Sequence, residues 1–242
     1  MTTSPLPRAM LIDMDDTILS AYGRPEIAWN TIASEFSAEF GALPPHRVAT
    51  SVLAFARSFW ATAEPVWRLK LAEARRLTVK GGFDALAARG YKLDADLAVR
   101  VADRFTAYRE AEMFVFPGAH DTIDALKALG IKLALVTNGA ADTQRAKVER
   151  FELAHRFDHI QIEGEHGFGK PEERAYLHAM QTLGVTAADT WMIGDNLEWE
   201  VEAPQRLGIY SVWMDVHGDG LPAESPITPD RIIRSLSELL PD

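Results

Sequence analysis

Three carboxylates stand close together near the beginning of this 242-residue sequence. Asp13, Asp15 and Asp16 follow an apolar run, and residues 8–13 are predicted to form a buried strand of a parallel sheet. Side chains alternate along a strand, so Asp13 and Asp15 should project together at its carboxyl end, where α/β sheets bind ligands. Two such close carboxylates need a shared proton or a cation, and Mg²⁺ with oxygen ligands suits the second case. A polar turn that caps the next helix is the plainer interpretation.

Further polar side chains follow the later predicted strands. They are Thr137 and Asn138 after strand 132–136, Lys170 in the loop after a short strand near 159–162, and Asp195 after strand 190–193. Parallel strands bring their carboxyl ends to one edge of a sheet, so these groups are expected to lie near Asp13. A hydroxyl and an amide could bind phosphate oxygens, and an ammonium could neutralise a phosphate or a carboxylate. Taken singly, each residue also fits a helix cap or a solvated loop.

The order of the predicted elements indicates an α/β fold with a doubly wound parallel sheet, Rossmann-like, and an inserted α-helical domain. The sheet domain is predicted to comprise residues 1–20 and 113–242, and the helical cap domain residues 21–112. Within the insert, Gly81-Gly82 is expected to break a helix, and Asp94 is a candidate N-cap of the next one. Residues 163–170 are predicted as a loop and 198–207 as one helix.

Composition and charge exclude several classes of protein. With 47% hydrophobic and 25% charged residues, the chain has the profile of a globular protein. The net charge of −10 disfavours nucleic acid and anionic membranes as partners but permits a small anionic substrate. The absence of cysteine excludes disulfides and thiol catalysis. No apolar run reaches membrane-spanning length, so a cytoplasmic location is expected. The expected oligomeric state is a monomer or a homodimer. The seven histidines show no spacing typical of metal ligands.

Together the motifs resemble those of the haloacid dehalogenase (HAD) superfamily, in its phosphatase branch with a helical class-1 cap. The family's Asp-x-Asp-x-Thr motif matches Asp13–Thr17, and its strand ending in Ser or Thr matches residues 135–139. Its Lys before Pro matches Lys170, and its Gly-Asp followed by a second acid matches Asp195 with Glu200. Asp is commoner than Glu at that last position. The four motifs occur in the family's order and the resemblance covers nearly the whole chain.

The resemblance implies a Mg²⁺-dependent phosphatase that works through an aspartyl-phosphate. Asp13 would be the nucleophile, and Asp15 would protonate the leaving oxygen and later deprotonate water. Thr137 and Lys170 would act on the transferring phosphoryl oxygens, with Asn138 as a further substrate-binding residue. The implied ligands of Mg²⁺ are Asp13, Asp15 through its backbone carbonyl, and Asp195.

The main hypothesis is therefore a phosphatase for a small phosphorylated metabolite, with nucleotides and sugar or acylneuraminate phosphates as candidate substrates. A sugar-phosphate mutase of the same superfamily and a non-catalytic phosphometabolite-binding homologue remain as alternatives. Carbon–halogen cleavage is disfavoured, because the family's dehalogenases lack the second acid that Asp15 supplies here.

Overall fold

A computed structural model describes residues 6–241 of the chain. The chain divides into two compact units, one formed by the residues up to Ser20 and from Phe114 onwards, and the other by Ala21–Met113. The strands are β1 (Ala9–Ile12), β2 (Leu19–Ser20), β3 (Phe114–Val115), β4 (Lys132–Thr137), β5 (His159–Ile162), β6 (Thr190–Gly194), β7 (Tyr210–Met214) and β8 (Arg231–Ile233). The α-helices are α1 (Pro25–Glu35), α2 (Pro45–Trp60), α3 (Leu71–Ala87), α4 (Ala95–Ala111), α5 (Ala119–Ala128), α6 (Ala141–Arg150), α7 (Glu163–His166), α8 (Glu173–Leu183) and α9 (Ala203–Arg206).

Six strands of the first unit form a parallel sheet in the order β5-β4-β1-β6-β7-β8. The strand β1 lies in the middle, between β4 on one side and β6 on the other. The chain fills one side of the sheet through β4 and β5 and then crosses to the other side for β6, β7 and β8. This reversal of direction is the arrangement of a doubly wound sheet, and it opens a crevice beyond the carboxyl ends of the central strands. The predicted fold class is confirmed.

One face of the sheet packs against α8 and α9 through an apolar cluster. Alternate residues of three neighbouring strands point into it, as the two-residue period of a strand requires. Its members are Ala9, Leu11, Ala134, Val136, Tyr176, Ala179, Met180, Leu183, Met192, Ala203 and Ile209. Packing on this face fixes the register of β1, β4 and β6 and therefore the positions of the polar residues that follow them.

Two segments near the sheet edge differ from the sequence prediction. The predicted loop 163–170 begins with the short helix α7. In place of one helix over 198–207, a π-helix covers Leu197–Glu202 and is followed by α9. Pro204 lacks an N–H, so it cannot donate the α-helical hydrogen bond to residue 200, which favours the wider π turn at this point.

A short antiparallel ladder forms where the chain leaves the first unit and where it returns to it. In this ladder β2 pairs with β3, with Leu19 opposite Val115. Each strand has only two residues, too few for a period-2 pattern to be recognised in the sequence.

Every regular element that the structure describes in the second unit is helical. Asp94 is the N-cap of α4 and accepts a hydrogen bond from the Asp96 N–H, as predicted. The prediction that Gly81-Gly82 breaks a helix is wrong, because α3 continues through both glycines to Ala87. A Cβ on Gly82 would lie 2.7 Å from the Val52 Cα, so the glycines serve close packing of α3 against α2. Among the described residues, no helix has the length and apolar character needed to cross a membrane.

Candidate active site

The carboxyl end of β1 places Asp13 in a buried pocket. The Asp13 N–H donates to the Ile193 carbonyl at 2.9 Å, which extends the β1–β6 ladder to this residue. The Lys170 ammonium donates to Asp13 Oδ1 at 2.5 Å. Burial raises the pKa of Asp13, the Lys170 charge opposes that rise and the nearby Asp15 charge adds to it. Asp13 is thus an acid held beside a fixed positive charge at the edge where this fold binds ligands.

The ammonium of Lys170 is fully buried between two carboxylates. Its Nζ lies 2.5 Å from Asp13 Oδ1 and 2.7 Å from Glu200 Oε1. Burial alone would lower the pKa of Lys170, but the charges of Asp13 and Glu200 outweigh it and raise that pKa above its usual value. Lys170 is therefore a permanent cation in this pocket, and a point charge of this kind suits an anionic substrate.

Glu200 belongs to this pocket through the π-helix that carries it. Glu200 Oε2 accepts the Asn196 N–H at 2.7 Å, so the side chain closes its own turn while its other oxygen faces Lys170. A Cβ on Gly194 would collide with the Glu200 Cγ, so glycine at this position leaves room for the Glu200 side chain. Burial raises the pKa of Glu200 to about 7, with Lys170 opposing the rise and Asp13 adding to it.

Asp195 follows β6 and brings a further carboxylate to the same cluster. The Trp213 indole N–H donates to the Asp195 carbonyl at 2.6 Å and fixes its backbone. No hydrogen bond or ion pair from the described residues reaches its carboxylate. Burial raises the pKa of Asp195 well above its usual range, and the charges of Glu200 and Asp13 raise it further.

The donor set of this cluster fits a hard divalent cation. Asp13, Asp195 and Glu200 supply three carboxylates in one pocket, and Lys170 is the cation paired with two of them. The atoms of this cluster that could bind a cation are carboxylate oxygens, and oxygen atoms are the ligands that Mg²⁺ prefers. A cation of this type would offset the burial and the mutual repulsion that together raise the pKa of Asp195.

Asp15 has different partners, which sequence reasoning missed. The Lys147 ammonium lies 2.7 Å from both carboxylate oxygens of Asp15, and the Gln144 amide donates to Oδ2 at 3.0 Å. Both partners are buried and lie three residues apart on α6, so they share a face of that helix. The sequence gives one indication of this role. Gln144 and Lys147 lie on the same helical face as Val148, and Val148 is buried in the structure.

The ends of β4 and of the Lys170 loop are joined by direct hydrogen bonds. The Gln144 amide that contacts Asp15 also donates to Thr137 Oγ1 at 2.6 Å. The Asn138 side chain pairs with the backbone of Lys170 at both ends, donating to its carbonyl at 2.6 Å and accepting its N–H at 2.9 Å. Asn138 therefore positions Lys170 with its side-chain amide, and its backbone is what remains to meet a ligand.

The structure thus brings the predicted site residues together at one sheet edge, and a family comparison agrees with the arrangement. The family model of haloacid dehalogenase-like hydrolases matches residues 7–208. The chain belongs to this family. The predicted membership is confirmed, and the four HAD motifs at the strand ends are the ones that supply Asp13, Thr137, Lys170 and Asp195.

Individual HAD relatives are similar over part of the chain. A phosphoserine phosphatase of Thermus thermophilus is 35% identical over 146 residues, which are 60% of this chain and 54% of that protein. An N-acylneuraminate-9-phosphatase of Rattus norvegicus is 34% identical over 110 residues, 45% of this chain and 44% of that protein. The chain therefore spans about half the length of these relatives. The crystal structure of the HAD hydrolase YfnB from Bacillus subtilis, bound to magnesium, superposes with a TM-score of 0.65 at 26% identity and 97% coverage of both chains.

Proposed function

We propose that this protein is a Mg²⁺-dependent phosphatase that hydrolyses a small phosphomonoester through an aspartyl-phosphate on Asp13. One observation carries the proposal. The two motif aspartates lie at one sheet edge but have separate cations, Lys170 for Asp13 and Lys147 for Asp15. Separate partners give the two carboxylates separate roles, as nucleophile and as acid–base group. Two of the similar proteins are named as phosphatases, which supports this class of reaction.

The proposed reaction has two steps, formation of the aspartyl-phosphate and its hydrolysis. A carboxylate oxygen of Asp13 forms a bond to phosphorus while the bond from phosphorus to the ester oxygen breaks, and Asp15 gives a proton to the departing alcohol. A water molecule then attacks phosphorus, Asp15 takes its proton, and the bond to Asp13 breaks to release phosphate. The Lys170 charge and the Thr137 hydroxyl stabilise the negative charge that gathers on the phosphoryl oxygens in both steps.

Asp13, Asp195 and the Asp15 carbonyl are the groups that would hold Mg²⁺. When bound, this ion offsets the negative charges of nucleophile and phosphate and orients the phosphoryl group. The Asp13 carboxylate is already paired with Lys170, so the pocket limits its position before substrate arrives. Glu200 acts indirectly, by positioning Lys170, because its contacts are with that ammonium and with the Asn196 N–H.

The proposed substrate is a small phosphorylated metabolite. Within the family, the group of nucleotidases and acylneuraminate-phosphate phosphatases remains the favoured one, and the similarity to an N-acylneuraminate-9-phosphatase supports its second member. The net charge of −10 disfavours polyanionic partners such as nucleic acid. We further propose that the α/β unit performs the chemistry and that the helical unit, Ala21–Met113, acts as a cap that selects the substrate.

The decisive experiment measures phosphate released from an aryl phosphate and from a panel of phosphometabolites by purified protein with Mg²⁺. Hydrolysis that is lost with a chelator and in Asp13→Asn is the expected result. Asp142→Asn, which removes an exposed carboxylate of α6, is the control and should retain full activity. Activity that survives in Asp13→Asn would remove Asp13 as the nucleophile. Turnover that appears only with a bisphosphate activator would indicate a mutase, and metabolite binding without turnover a binding protein.

A further inference from the structure

A cluster of three histidines lies in the α/β unit and has no part in the chemistry proposed above. His159 comes from β5, His166 from α7 and His178 from α8. One ring nitrogen from each lies within 4.8 Å of those of the other two. The ring centroids are 5.0–6.1 Å apart. All three side chains are partly buried, so an ion could reach the cluster from solvent.

The hydrogen bonds around His178 fix which of its nitrogens carries the proton. The Gln161 amide nitrogen donates to the Ala175 carbonyl at 2.8 Å, which turns its oxygen toward the imidazole. His178 Nδ1 lies 2.7 Å from that oxygen, an acceptor, so Nδ1 must be the protonated nitrogen. In the neutral imidazole, the Nε2 of His178 is then the nitrogen with a free lone pair.

The other two imidazoles are disposed in a compatible way. His166 Nδ1 lies 3.1 Å from the Ile162 carbonyl, which only accepts, so Nδ1 is again protonated and Nε2 carries the lone pair. His159 Nε2 is buried and has no hydrogen-bond partner in the described part of the chain. Imidazoles that ligate a metal characteristically donate their other ring N–H to a carbonyl or carboxylate, which matches His166 and His178.

From this geometry we propose that His159, His166 and His178 form a second metal site, for a borderline transition-metal ion such as Zn²⁺. Three neutral imidazoles and a water molecule make up a tetrahedral set that suits Zn²⁺ and does not suit Mg²⁺, which prefers oxygen. With Zn–N bonds of about 2.0–2.1 Å, the nitrogens of such a site stand roughly 3.3 Å apart. The ring nitrogens therefore need to approach one another by about 1.5 Å at most from their present spacing.

A metal at this position would join the edge strand to two helices. The helix α7 also carries Glu163, whose carboxylate accepts the Gly139 N–H at 3.0 Å, next to Asn138. Bound metal would hold the start of the segment between β5 and Lys170 in place. The expected consequence is greater resistance to unfolding, because an ion that binds the folded chain preferentially shifts the equilibrium toward it.

The test is calorimetric titration of the full chain with Zn²⁺ in the presence of excess Mg²⁺, which competes at the carboxylates. We expect one equivalent of Zn²⁺ to bind, and His166→Gln and His178→Gln to weaken that binding at least tenfold. His155→Gln, an exposed histidine outside the cluster, is the matched control and should bind as the wild type does.

Equal zinc affinity in the wild type and in both cluster variants would overturn the proposal, as would the absence of zinc binding. A second measurement does not depend on the variants folding. The electron paramagnetic resonance spectrum of the wild type with one equivalent of Cu²⁺ should show splitting from ligand nitrogens. A spectrum of oxygen coordination alone would contradict the assignment, and it would do so whether or not the protein proves to be a phosphatase.

Discussion

Asp13 and Asp15 are two residues apart, yet the structure surrounds them with different chemistry. Asp13 contacts Lys170, which is shared with Glu200. Asp15 contacts Lys147 and Gln144, and Gln144 also reaches Thr137. An acid–base group must be held at a fixed distance from the atom it serves, and the α6 side chains provide that support. Lys147 is accordingly a positioning residue for Asp15.

Lys147→Met should lower kcat less than Asp15→Asn does. Loss of the general acid–base group is expected to cost roughly 10²–10⁴-fold. Loss of its support should cost up to about 10²-fold, the penalty for a misplaced group. Because Lys147 acts only through Asp15, the double variant should be no slower than Asp15→Asn alone. Steady-state kinetics with an aryl phosphate measures all three, with Lys127→Met as the control for loss of a lysine. Multiplicative losses in the double variant would show that Lys147 acts independently.

Glu200 stabilises the pocket as much as it serves the site. Glu200→Ala removes one carboxylate from a buried ammonium and leaves the Asn196 N–H without its acceptor. The expected loss is about 1–3 kcal/mol in the free energy of unfolding, measured by urea denaturation. Glu202→Ala, an exposed acid of the same turn, should change it by less than about 0.5 kcal/mol. If both variants lost the same stability, the buried contacts of Glu200 would not be the cause.

Among the elements, those with a strong local signal were predictable from the sequence. The short apolar runs that end in polar residues became the buried strands β1, β4 and β6, and Asp94 became the N-cap of α4. Strand ends carry most of the site, so Asp13, Thr137 and Asp195 could be named in advance. Lys170 could be named from its motif, although a loop residue has no register to place it.

The site residues that could not be predicted come from helices or from close packing. Gln144 and Lys147 reach the site only because α6 turns one face inward, and that rotation depends on tertiary contacts. The three histidines are separated by seven and twelve positions in the sequence, and only the packing of α7 and α8 on β5 brings them together. The prediction at Gly81-Gly82 was wrong because local propensity disfavours glycine in a helix, whereas close contact with α2 favours it here.

Gly81→Ala and Gly82→Ala test that explanation as a matched pair. Alanine gains about 1 kcal/mol over glycine inside a helix at either position. At Gly82 the new Cβ would lie 2.7 Å from the Val52 Cα, a backbone atom that cannot move alone, so a net loss of about 1–2 kcal/mol is expected. At Gly81 the obstacle is the Phe55 ring, which is 39% exposed and can turn away, so the change should be near zero. Urea unfolding measures both, and equal losses would contradict the packing account.

At the scale of the whole molecule, the buried carboxylates of the site affect the stability of the fold. The chain carries a net charge of −10, and part of that excess lies in the cluster of Asp13, Asp195 and Glu200. Solvent screens exposed carboxylates, but it screens buried ones much less. The folded chain without a cation therefore retains unfavourable repulsion at this site, and relief of that repulsion should be visible in global stability.

Asp195→Asn should change the sign of its effect on thermal unfolding when Mg²⁺ is added. Without metal the variant should have the higher Tm, since it removes a carboxylate that is destabilised first by burial and then by the charges of Glu200 and Asp13. With Mg²⁺ at about 100 times its Kd, the wild type should gain roughly 2.7 kcal/mol, or about 5–10 °C in Tm, and exceed the variant. Glu198→Gln, an exposed acid of the following turn, should respond to Mg²⁺ as the wild type does. Differential scanning calorimetry with and without a chelator measures this exchange of order, and an equal Mg²⁺ response in Asp195→Asn would remove Asp195 from the metal site.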